Sequence, residues 1–173
     1  MIKTLRILLL LAPLAGCVSP YIPGTPPPPS TAAKLQRGNT ILVATPESAK
    51  FEDDDYVESG NQTAQVIQAA FARFAAKSVV SRKCKSAECL ASESQGKFSH
   101  LVVPEILHWE DRNTEWSGKP DKVTIKITTY SASSMTIVDT TIIEQSAGWA
   151  VLGGMHPEML LPQPVHQYIE SLY

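Results

Sequence analysis

The sequence has no excess of either charge. Across 173 residues, 15 Lys and Arg stand against 17 Asp and Glu, formally −2 at pH 7, with a pI near 6.1. Phosphate backbones are held by a basic surplus, so no nucleic-acid partner is expected. Histidine is scarce: four are spread along the chain, and neither His-x-His nor His-Glu-x-x-His occurs. A Gly-x-Ser-x-Gly elbow is missing, and Gly153-Gly154-Met155-His156-Pro157 lacks the lysine and hydroxyl of a phosphate loop, which leaves it a turn. No catalytic residues, metal or cofactor are therefore expected, and the chain does not read as an enzyme. Cysteine is limited to three residues, and long apolar runs are missing beyond the first sixteen. What remains, with 43% apolar residues and a mean hydropathy of −0.05, suits one folded domain.

The amino-terminal stretch fixes the expected compartment. Lys3 and Arg6 precede an apolar run from Ile7 that closes in small residues at Ala15 and Gly16. The run falls short of the ~20 residues that span a bilayer, and it has the layout of a cleaved export signal. Leu14-Ala15-Gly16-Cys17 resembles the lipobox of bacterial lipoproteins. That resemblance implies cleavage after residue 16, lipidation of Cys17 and a lasting anchor, since several acyl chains hold where one does not. Val18 replaces the Asp that favours inner-membrane retention, so the resemblance implies the outer membrane, with the domain facing the periplasm. Residues 17–38 then form a tether. Pro20, Pro23 and Pro26 to Pro29 disfavour helix and sheet and favour an extended polyproline path, which at ~3.1 Å per residue reaches on the order of 60 Å.

Residues 39–173 read as the folded domain. Thr40 to Ala44 is a short buried-strand run stopped by Pro46, and Glu52 to Asp55 reads as a solvated acidic loop. Ser59-x-x-Gln62 has capping-box spacing, and Val66, Ile67, Ala70, Phe71 and Phe74 share one helical face. Ser78 to Ser81 reads as a second strand. Cys84 and Cys89 are expected to form a disulfide in an oxidising compartment, provided a turn enters a helix at Ser86. Ser99 to Trp109 reads as an internal strand that meets an edge or bulge at Pro104. Val123 to Tyr130 alternates as a half-buried strand does, Thr136 to Glu144 is its antiparallel partner, and Pro164 opens a terminal helix. The expected fold is a single α+β domain of order β-α-β-α-β-β-β-α, a mixed sheet with helices packed on one face.

Three groups of residues could carry function. His108 and Glu110 share a strand face and, with Asp111, offer an alternative reading as a small-ligand or metal-binding protein. Ser99 and His100, as neighbours on a strand, point to opposite faces and should not share a proton. Trp109, Arg112 and Trp116 are residue types that anchor partner proteins, with Trp149 a third tryptophan of the same kind; the competing reading is that the tryptophans fill the core or cover a sheet edge.

Phe98 to Arg112, Thr114 to Gly118, Pro120 to Ile125, Gly153-Gly-x-His156-Pro and Ile169-x-Ser-Leu-Tyr173 together resemble the domain-of-unknown-function family numbered 4823, small lipoproteins of Gram-negative bacteria. The element order is more distantly similar to curli-secretion and peptidoglycan-synthase-activator lipoproteins and to the amino-terminal domain of the Tol translocation protein. The resemblance implies a non-enzymatic binding or scaffolding module of the envelope. Its partner would be a periplasmic protein or peptidoglycan, and its membrane contact the lipid anchor.

Overall fold

The computed structural model describes residues 35–112, 119–147 and 156–173. Cys17, the proline tether, Trp116, Trp149 and the Gly153–Gly154 turn lie outside the described residues. The elements run β1 (Thr40–Ala44), β2 (Ala49–Phe51), β3 (Asp54–Tyr56), α1 (Ser59–Phe71), β4 (Lys77–Ser81), α2 (Ala87–Ser94), β5 (His100–Glu110), β6 (Lys122–Ser131), β7 (Ile137–Ser146), a 3-10 turn (Pro157–Leu160) and α3 (Pro162–Ser171).

β1 is apolar on both faces because it is buried on both. Ile41 and Val43 enter one core cluster, whereas Leu42 and Ala44 enter a second on the other side. A strand of that composition belongs inside a sheet. It pairs in parallel with β4 and with β5, and β6 and β7 extend the sheet antiparallel, in the order β4-β1-β5-β6-β7.

The α+β class and the order of the main elements follow the expectation. The placement of the helices needs a correction, because they do not all lie on one face. α1 and α3 pack on the face that carries Ile41 and Val43, through Ile67, Phe71, Val165 and Ile169. The second helix, α2, packs Ala87 and Leu90 on Leu42, Leu101 and Val103. The connection leaves β1 outward to β4 and then returns across β1 to β5. Right-handed crossovers that run in opposite directions must use opposite faces.

Smaller differences have local causes. Glu52 to Asp55 is a hairpin tip rather than a loop: β2 pairs with β3, and Glu52 turns the chain at φ 53° with its carboxylate exposed. Ser59 is not the helix cap. Its hydroxyl is buried and bridges the hairpin to α1, donating to the Tyr56 carbonyl at 2.6 Å and accepting from Ala49 N at 2.7 Å. Leu35 is buried, with its N–H on the Leu172 carbonyl at 2.5 Å, so the core takes in residues ahead of Asn39. No helix among the described residues is long and apolar enough to cross a membrane.

Candidate functional site

The charged residues singled out in the sequence gather where β5 ends, and a bulge decides how they sit. β1 accompanies β5 only as far as Val102, so Pro104, which has no N–H to give, falls where that flank is free of β1. The β5–β6 register then slips between Ile106 and His108, leaving Leu107 outside the ladder. A residue inserted into a strand of period two exchanges the faces beyond it. Before the slip, Val102 and Ile106 face the main core; after it, Trp109 does. Trp109 is only 2% exposed, so its expected role as a partner contact is corrected: the indole is a core side chain.

The same exchange turns His108 and Glu110 together onto the opposite face. His108 Nε2 is 3.0 Å from Glu110 Oε2, and the Arg112 guanidinium holds the other oxygen, Oε1. Glu110 is buried, which raises its pKa, yet the bonds from His108 and Arg112 and the nearby positive charge outweigh this and hold the carboxyl below its usual range. Phe51 caps the cluster, its ring edge-on to His108 at 5.2 Å and its face 5.8 Å from the Arg112 guanidinium. Arg112 therefore sits partly covered between Glu110 and Phe51.

Asp111 points elsewhere. Its carboxylate meets His156 Nδ1 at 3.0 Å, and this bond and charge raise the imidazole pKa. Asp121, itself buried, accepts from Arg112 N at 2.5 Å through its side chain and from Ala147 N at 2.9 Å through its carbonyl. Asp121 and Phe51 belong to the cluster although nothing about their sequence neighbours marks them, and His156, read in the sequence only as part of a turn, joins it through Asp111.

This arrangement does not assemble a metal site from His108, Glu110 and Asp111. Both Glu110 oxygens are already engaged, Asp111 turns to His156, and among the described residues no group of three or more His, Cys, Asp or Glu could hold an ion. Each Glu110 oxygen already accepts a bond, one from His108 and one from Arg112, and the carboxyl is buried.

Two other sequence pairs do meet. Cys84 and Cys89 form a disulfide, with Ser86 capping α2 by accepting from Cys89 N, the turn that the spacing required. Ser99 Oγ lies 3.0 Å from His100 Nδ1, contrary to the expectation of opposite faces, because Ser99 precedes the strand and escapes its alternation. Its hydroxyl is nonetheless occupied, donating towards the Thr40 carbonyl and accepting from Thr40 N, each at 3.0 Å. Burial lowers the His100 pKa. The pair locks the start of β1 to the start of β5.

Fold and site together define a small α+β domain in which buried Glu110 is closed on His108 and Arg112, while His108 also lines a cavity with Glu47, Lys50 and Lys85. The chain belongs to the family described as "Domain of unknown function (DUF4823)", whose model matches residues 33–172. This confirms at family level the resemblance read from the sequence. Among solved structures, the chain is similar to the PelC dodecamer of Paraburkholderia phytofirmans at a TM-score of 0.65 and 8% identity, covering 83% of this chain and 93% of that one. It is also similar to a DUF330 protein of Xanthomonas campestris at 0.47 and 10% identity, over 82% and 84% of the two chains. A lipoprotein of Neisseria meningitidis aligns at 0.40 and 11% identity, over 63% and 84%. Only the first of these bears on the fold, and at 8% identity it bears on nothing else. No curated protein matches the sequence.

Proposed function

We propose that this protein is a lipid-anchored outer-membrane module whose domain faces the periplasm and acts by binding and scaffolding, without catalysis. The observation that carries the reading is Leu14-Ala15-Gly16-Cys17, placed directly after a charged and then apolar leader and directly before a proline tether. Two further observations support it. The ionic groups at the end of β5 are spent on structure, and the protein of similar fold from Paraburkholderia phytofirmans is described as a dodecamer. The partner is a periplasmic protein or peptidoglycan.

Globomycin, which blocks the lipoprotein signal peptidase, tests the anchor. The precursor should accumulate in treated cells, and Cys17→Ser should release the domain from the membrane fraction. Processing that is indifferent to both would remove the reading.

A further inference from the structure

Among the described residues, the two outer strands of the main sheet differ in length, apolarity and charge. β4 is one edge and β7 the other. β7 runs ten residues with neither Pro nor Lys nor Arg, and it exposes Ile137 and Ile142 at 61% and 53%. The register slips beside Val138 at the start of β7, and the unbroken stretch from Asp139 to Ser146, without Pro, Lys or Arg, is a template for another strand. Asp139 and Glu144 are its only charges, and Asp139 is already held by the Tyr168 hydroxyl at 2.6 Å. The opposite edge carries Lys77, Arg82, Lys83 and Lys85; Lys85 is paired with Glu47 at 2.5 Å, and Glu93 accepts from Ser81 Oγ at 2.5 Å. Arg82, Lys83 and Glu144 are exposed and have no ion-pair partner among the described residues.

The strand directions set these charges toward the same end of the sheet. Val80, Val43, Val102, Thr129 and Asp139 form one continuous row across all five strands. Beyond that row β4 ends at Ser81, and Arg82 and Lys83 lie in the turn that Ser81 Oγ closes by accepting from Lys83 N and Cys84 N, on the same side of the row as Glu144. Both edges also run in the same direction, since β4, β1 and β5 are parallel and β6 reverses once before β7.

From this we infer that the partner of the β7 edge is a second copy of this chain, whose β4 edge docks in parallel and continues the sheet head to tail. The inference rests on the scaffolding reading and names its partner. Such a contact is heterologous, so it builds rings or filaments rather than closed dimers. A two-fold β7–β7 pairing would bring acids together and is disfavoured.

Sedimentation of the full-length lipidated protein, extracted in detergent, tests it. The wild type should form species larger than a dimer. Glu144→Lys, and separately Arg82→Glu, should each weaken association about tenfold or more, and the two changes combined should restore it. Ile142→Asp, a second break at an exposed position, should also dissociate the assembly with thermal unfolding unchanged. A monomeric wild type, a dimer only, or an assembly insensitive to both single charge reversals would overturn the proposal. If globomycin still blocks processing in that case, the anchored-module reading stands and only the choice of partner fails.

Discussion

Leu107 and Trp109 are two residues apart on β5, yet Leu107 is half exposed while Trp109 lies in the main core. The bulge at Leu107 separates their fates, and the two positions should answer mutation differently. Trp109→Ala should cost about 3–5 kcal/mol, the range for emptying a large aromatic site. Leu107→Ser should stay within about 0.5 kcal/mol. Urea unfolding monitored by circular dichroism compares them, and equal costs would contradict the assignment of the bulge.

Gly60, in the first turn of α1, presses against the end of β1. A Cβ built there would stand 2.4 Å from the Pro46 carbonyl oxygen, a backbone atom that cannot swing aside. Alanine would gain up to ~1 kcal/mol in helix propensity, against a packing clash of roughly 1–3 kcal/mol. The clash wins, and Gly60→Ala should lower the melting temperature; an unchanged or raised value would show that Pro46 can yield.

The Cys84–Cys89 disulfide closes a short turn between β4 and α2. In the chain-entropy account, a loop of this size contributes roughly 2 kcal/mol. Replacing both cysteines with alanine should destabilise the domain by about that amount. Dithiothreitol should lower the wild-type melting temperature and leave the double variant unmoved. A reductant effect of equal size in both proteins would place the labile feature elsewhere.

The two histidine pairs at the end of β5 give opposite pH signatures. The His156 pKa is raised by Asp111, so the stability it adds is complete below about pH 6.5 and is lost as pH rises through the elevated value in the fold. The imidazole is about half exposed, 48% by side chain, so the term should not exceed ~0.5 kcal/mol. Glu110 behaves conversely: its lowered pKa adds stability above about pH 4.3, lost as pH falls through the depressed value. His156→Gln should flatten only the slope between pH 6 and 8, and a slope that survives would assign it to another group.

Local patterns made most of the architecture legible. The double-sided apolarity of Ile41 to Ala44, the alternation from Val123 to Thr129 and the helical spacing of Ile67, Ala70 and Phe71 each report burial within their own element. The charged cluster was half visible. His108 and Glu110 share a face by strand geometry alone, and they do meet. Asp121 and His156 could not be read, because they reach Arg112 and Asp111 only when β6 begins and α3 is approached beside the end of β5.

The sequence by itself determined the lipobox-like motif, the proline-rich stretch after it, the family and the order of the main strands and helices, since each depends on residues close together in the chain. Tertiary structure decided the rest. An unpaired Leu107 sent Trp109 inward, the reversal from β4 across β1 put α2 on the far face, and the strand order left β4 and β7 outermost. These outcomes turn on which strands become neighbours and in what register, and residues distant in sequence set both together.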